Sequence, residues 1–357
     1  MQKISHALSL VLAAVAMSAA GPGQAAPSVT QVSGSSSPGS QITISGSGFG
    51  TKAAAPKVWD TVDNISAYGA VSSLAGKSVP VGPSYVWGTN TFDSPGAVVF
   101  SAANPRHSQQ KMHYRTSRYV GYLQWPIAMG RESAPSSQNE LYVSFWVRPD
   151  GSLEGEGHSS KLLRVWDDAN GEGTRVSWTQ MHLTSVTSGG SEITDWNSWG
   201  GTTGQWNRVE LFVSGPKGVV KGWTNGRVMH NVTNFQKDGS YSGRGLNVAR
   251  VGWDIGGATP PSVDLSFGDI YVDTTQARVE LCSQPSWSSC MTREVQPTTS
   301  WSNNQIVFNA YPGQLSGTLY AYVVDASGAV NATGVAINGT GAPTAAVPNA
   351  PTSVSVN

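Results

Sequence analysis

Charge is scarce in this 357-residue chain. Only 12% of the residues are Asp, Glu, Lys or Arg, they cancel to a formal net charge of zero, and no basic tract occurs. A nucleic acid or an anionic membrane surface, which needs a clustered positive field, is therefore not an expected partner. Cysteine is scarcer still, with Cys282 and Cys290 alone. In an oxidising compartment the natural expectation is a disulfide closing that short loop, and no His lies close enough in sequence to make the pair a metal site. Long helical periodicity is missing, and only one long apolar run exists, from Ala7 to Ala20 with Ser9 and Ser18 inside it. It follows Lys3 and precedes small-residue cleavage patterns at Ser18-Ala19-Ala20 and Gly23-Gln24-Ala25, so residues 1–26 read as a secretory signal peptide. The run is too short for a membrane span of about 20 residues. An exported protein without a membrane span of its own is expected.

What the chain does have is Gly (41) and Pro (20), with Val, Thr, Ser and Trp in short runs between turn dipeptides. That is the pattern of an all-β protein built from many short strands. Near the start, QITISGSGFG places Ile42 and Ile44 in alternation with Thr43 and Ser45 and then breaks at Gly46, Gly48 and Gly50. The segment PSVTQVSGSSSPGSQITISGSGFG resembles the first two strands of an IPT/TIG domain, an Ig-like β-sandwich. Its continuation does not follow, since VWDTVDN begins something else. From Ala277 the runs ARVEL, NQIVFNA, TLYAYVVD and NATGVAI resemble the second half of such a domain. One account makes residues 27–53 and 276–340 a discontinuous Ig-like domain with residues 57–275 inserted, the ends of an inserted domain lying close together. The other makes all the strands parts of one large sandwich. Residues 341–357, rich in Ala, Pro, Thr and Val, read as a linker or arm.

The middle segment resembles a jelly-roll sandwich of the concanavalin A-like class that includes laminin G modules, through LYVSFWVRP, KLLRVWDD, RVSWTQMHL, QWNRVELFV and VDLSFGDIYVD. WTNGRVM is a hairpin signal, because Asn225-Gly226 suits the positive φ values of a type I′ turn. Alternation sends Leu141, Val143, Phe145 and Val147 to one side and Tyr142, Ser144, Trp146 and Arg148 to the other. The same count puts Arg164 with Trp166, and Trp178 with Gln180 and His182. If these strands adjoin, Trp146, Arg148, Arg164, Trp166, Trp178, Gln180 and His182 line one groove. Indole faces cover the apolar side of a sugar ring while Arg, Gln and His bond its hydroxyls or carboxylates, so an extracellular polysaccharide is the expected ligand. The competing reading is that the tryptophans are core.

Gln180-Met181-His182 is similar to the Gln-Ile-His motif of jelly-roll alginate lyases. That resemblance implies a polysaccharide lyase in which Gln180 helps neutralise a uronate carboxylate and His182 takes part in proton abstraction. Arg148 or Arg164 would assist the first task, and Tyr142 or Tyr271 would protonate the leaving oxygen. The Arg-x-Glu-x-Arg strand and the Tyr-Lys-rich strand of those lyases are not found. DDANGEG, at residues 167–173, reads either as an oxygen-rich calcium loop or as a hairpin turn at Asn170-Gly171, the turn being sufficient; no cofactor is otherwise called for. Three functions follow in order: a secreted carbohydrate-binding or adhesive protein, a polysaccharide lyase, or a structural surface or filament subunit.

Overall fold

The computed structural model describes residues 25–90, 98–117, 120–130, 137–153, 160–167, 172–187, 192–238, 244–254 and 263–338. Residues 1–24 of the segment 1–26 read as a signal peptide, and the arm at 341–357, lie outside them. The described chain is all-β, with antiparallel sheets and a few short 3₁₀ turns. No helix among the described residues is long and apolar enough to cross a membrane.

Two hydrophobic cores organise the molecule. The larger lies between a seven-stranded and an eight-stranded sheet. The seven-stranded sheet runs, from one edge to the other, through Glu192–Trp196, His182–Val186, Arg175–Thr179, Lys161–Trp166, Asn247–Asp254, Gly121–Pro126 and Trp87–Asn90. The eight-stranded sheet runs through Arg227–Val232, Val219–Thr224, Asn207–Ser214, Glu140–Pro149, Leu265–Asp273, His113–Thr116 and Val98–Ser101, with Val58–Asp60 paired beside Leu265–Asp273. The chain passes repeatedly from one sheet to the other, and the two inner faces interdigitate into one core. Leu141, Val143, Phe145 and Val147 all enter it, as their alternation requires. The hairpin at Asn225 (φ 49°) and Gly226 (φ 75°) has the two positive φ values of a type I′ turn.

The smaller core lies between two four-stranded sheets. Ser28–Gly34 and Gln41–Ser47 join Gln305–Asn309 and Thr298–Trp301 in one of them, with Ile42 opposite Phe308 and Ile44 opposite Ile306. Arg278–Cys282, Glu294–Gln296, Tyr320–Val324 and Val335–Ala336 form the other. The strands of QITISGS thus pair with a segment more than 250 residues away, which buries apolar faces that a lone two-stranded hairpin would leave wet. Val58 faces Val272, so the chain leaves and rejoins the small sandwich at adjacent points. Cys282 and Cys290 form a disulfide with a Cα separation of 6.0 Å.

The two sandwiches meet across a buried surface. Tyr142, Ser144 and Trp146 point away from the large core, yet all three are buried, because the small sandwich covers that side of the eight-stranded sheet. Arg208 sits there between Glu210 (3.2 Å) and Glu280 (2.7 Å), and Arg278 and Arg293 crowd the same two carboxylates. Burial pushes the Glu280 carboxyl up, but the three guanidiniums outweigh it and hold the group well below the usual carboxylate range. Arg106 pairs with Asp269 and Glu294 and lies 4.3 Å over the ring of Trp146. Lys52 pairs with Asp273 and also donates to the hydroxyl of Tyr271 (3.3 Å).

Candidate functional site

The structure divides the groove expected from alternation between the two sheets. Glu140–Pro149 belongs to the eight-stranded sheet, whereas Lys161–Trp166, Arg175–Thr179 and His182–Val186 belong to the seven-stranded one. Trp146 and Arg148 therefore do not join Arg164 and Trp166. Trp146 is sealed under Arg106, and Arg148 stands half-buried opposite Ser266. Tyr142 and Tyr271 lie on the eight-stranded sheet too, buried against the small sandwich, where Tyr142 donates to Glu210 at 2.6 Å. Alternation assigns sides along a strand, but not which sheet the strand joins.

The second correction concerns RVSWTQMHL, which is not one strand. The chain reverses at Gln180 and Met181, and Trp178 pairs with Leu183 across the hairpin. The Thr179 hydroxyl holds the reversal: it accepts from the amides of Met181 (3.1 Å) and His182 (2.9 Å) and donates to the His182 carbonyl (2.9 Å). Gln180 is buried in that turn, so it does not share a strand face with His182. Trp178 is 0% exposed and points into the large core, where Gly222 of the facing sheet leaves room for its ring; a Cβ there would lie 3.1 Å from the indole. Trp178 is core, as the competing reading had it.

What remains of the expected set lies on the outer face of the seven-stranded sheet. In Lys161–Trp166, Leu163 and Val165 turn inward and Arg164 and Trp166 outward. The register sets Arg164 opposite Ser177 on one side and opposite Arg250 on the other, and Lys161 opposite Asp254. Arg164 reaches Asp254 at 3.1 Å and Arg250 reaches the same carboxylate oxygen at 2.5 Å. Beneath them lie Tyr122, Trp125 and Trp166. The Arg250 guanidinium stands 4.7 Å from the Tyr122 ring and 5.4 Å from that of Trp166, and Arg164 stands 5.5 Å from the Trp166 ring. Trp166 is only 7% exposed, so it does not offer its face to a sugar. It supports the guanidiniums, which are what the surface presents.

Toward the edge, His182 and Trp196 face each other across the ladder, with ring centroids 4.2 Å apart. Trp196 is 66% exposed. Burial lowers the His182 pKa, and Lys161 and His230 lower it further, so the imidazole is neutral at neutral pH. Burial also lowers the Lys161 pKa, with Arg164 and Arg250 adding to the effect and Asp254 opposing it. The arrangement thus runs from an open indole, past a neutral imidazole, to a cluster of cations held on aromatic rings. Such a row can stack on a sugar ring and donate several directional hydrogen bonds to one extended ligand.

Tyr122, Trp125, Trp196, Arg250 and Asp254 were absent from the expected set. The signal for Trp196 was present in SEITDW, where Glu192, Thr194 and Trp196 alternate with Ile193 and Asp195. The calcium reading of DDANGEG falls partly on residues 168–171, outside the described set. Within it, Asp167 is committed to the Thr174 amide (2.6 Å) and to Lys237 (3.1 Å). Among the described residues, no group of three or more His, Cys, Asp or Glu is gathered as a metal ion requires.

No protein-family model and no curated protein matches the chain. Solved structures do. One is a cellulose-induced protein, at 15% identity and a TM-score of 0.34 over 52% of this chain and 86% of that one. Another is domain 4 of an extracellular arabinanase from Geobacillus stearothermophilus in complex with arabinotriose, at 18% identity and a TM-score of 0.32 over 53% and 85%. A third is an alginate lyase from Pseudomonas aeruginosa, at 13% identity and a TM-score of 0.33 over 49% and 85%.

Proposed function

We propose that this is an exported polysaccharide-binding protein. In this reading a jelly roll of the concanavalin A-like type, residues 57–275, is inserted into an Ig-like carrier of the IPT/TIG kind, residues 27–53 and 276–340. The ligand lies on the outer face of the seven-stranded sheet. The observation that carries the reading is Trp196, a two-thirds-exposed indole on a β-sheet face beside His182 and the Lys161, Arg164 and Arg250 cluster. A large exposed aromatic next to convergent hydrogen-bond donors is what binding an amphipathic ring requires. Export is supported by the apolar run at 7–20 and by the Cys282–Cys290 disulfide.

The lyase alternative loses support, because Tyr142 and Tyr271 are buried on the other sheet and Gln180 is inside a turn. The test is affinity electrophoresis through gels holding one polysaccharide each, with wild type beside Trp196→Ala. Retardation in at least one gel that the variant loses is the expected result. Equal mobility of both proteins in every gel overturns the proposal.

A further inference from the structure

We propose that the polysaccharide taken by this face is acidic, its carboxylate or sulfate groups completing the pairing of Arg164 and Arg250. The inference rests on the polysaccharide reading above and names its class. Each guanidinium carries five N–H donors, yet both converge on a single oxygen, Oδ2 of Asp254. The Nε groups of Arg164 and Arg250 and the indole N–H of Trp166 are buried without an acceptor among the described residues, while each of the two arginine side chains keeps 18% of its surface exposed. Lys161 and Arg175 bring further positive charge: burial first and then Arg164 and Arg250 depress Lys161, and Arg175 adds to the depression of Arg164. Across the interface with the small sandwich the same chain does otherwise. There Lys52, Arg106, Arg208, Arg278 and Arg293 meet Asp269, Asp273, Glu210, Glu280 and Glu294, five cations against five anions.

Among the described residues Arg164 and Arg250 share the one carboxylate of Asp254, where the interface matches five cations with five anions, and a further anion from outside would complete the pair. Planar guanidiniums stacked on aromatic rings are fixed in direction, which suits two-point recognition of a carboxylate or sulfate repeated along a chain. Three strand spacings separate the Trp196 strand from the Lys161–Trp166 strand, roughly 14 Å, so an oligosaccharide rather than one sugar spans the row.

Asp254 is then an internal anion occupying part of the ligand's place. Its removal should tighten binding, which no loss of folding can mimic. The experiment measures affinity for polygalacturonate and alginate (carboxylate), dextran sulfate (sulfate) and laminarin and dextran (neutral) at low and high salt. Wild type is expected to bind the acidic polymers, with binding falling as salt screens the charges. Arg250→Gln should weaken it on the order of tenfold or more, Arg250→Lys should retain most of it, and Asp254→Asn should strengthen it about threefold. Carboxylate-only or sulfate-only binding supports the inference and tells which group is read. Equal binding of the neutral polymers, or Asp254→Asn weakening the acidic ones, overturns it while leaving the polysaccharide reading in place. No binding to any polymer overturns both.

Discussion

The outer faces of the two large sheets are made of the same materials and put to opposite use. Both carry arginines lying over aromatic rings, Arg278 at 4.3 Å from Tyr142 on one and Arg250 at 4.7 Å from Tyr122 on the other. On the eight-stranded sheet a second sandwich covers them, and Arg208, Arg278 and Arg293 share Glu210 and Glu280. On the seven-stranded sheet no second sandwich lies over them among the described residues, and Arg164 and Arg250, each 18% exposed, share Asp254. An Arg-aromatic surface is therefore not by itself a binding face. What differs between the two faces is how many carboxylates the described chain brings to its guanidiniums, because a buried charge without a partner is costly.

The comparison breaks most readily at the closed face. Glu280→Gln should lower stability by about 3–5 kcal/mol, since it leaves Arg208, Arg278 and Arg293 with Glu210 as the one carboxylate of the two they share. Urea unfolding followed by tryptophan fluorescence would show it, and an unchanged midpoint would mean that the network is not worth its burial. Trp178→Ala should cost a similar amount, about 3–5 kcal/mol, as a cavity between the two sheets, without its indole ever having touched a ligand.

A smaller effect comes with acid. His113 is fully buried with no hydrogen-bond partner on either ring nitrogen among the described residues, and burial lowers its pKa to about 4. The unfolded chain binds that proton from about pH 6.5 downward, so His113 contributes a loss of stability as pH falls from about 6.5 to about 4 and nothing above that window. Asp60 and Glu294, whose pKa values burial raises, act in the opposite sense. The difference between wild type and His113→Phe in melting temperature against pH isolates the histidine, and parallel curves would remove the claim. At the open face the effect on folding should be smallest of all. Trp196→Ala and Arg164→Gln should each shift stability by about 0.5 kcal/mol or less while changing ligand retention, and a large stability loss in either would make the open face a second structural surface.

Much of the strand pattern was legible before the fold. The inward set Leu141, Val143, Phe145 and Val147, the Asn225-Gly226 turn and the cysteine pair all follow from local rules of period, φ and proximity. The groove was less so, for two physical reasons. Alternation repeats in every strand whatever sheet it joins, so Trp146 and Arg164 looked like neighbours although long-range pairing sent them to opposite sides of the core. The reversal at Gln180-Met181 carries none of the usual turn residues, its geometry being fixed by the Thr179 hydroxyl, so a hairpin passed for a strand. Trp166 and Trp196 show the remaining gap. Both alternate outward, but only tertiary packing decides that guanidiniums cover one and solvent meets the other.

The adjacent crossings at Val58 and Val272, pinned by Lys52 on Asp273, have a mechanical consequence. Tension applied between residue 28 and residue 338 enters and leaves through the small sandwich, where Gly34 and Asn338 are tied by a hydrogen bond of 3.0 Å. As long as that sandwich stays folded, the pull runs across its own ladders and passes the large one by. A sandwich mounted in this way hangs off the line of force, so it keeps its shape while the small sandwich bears the load.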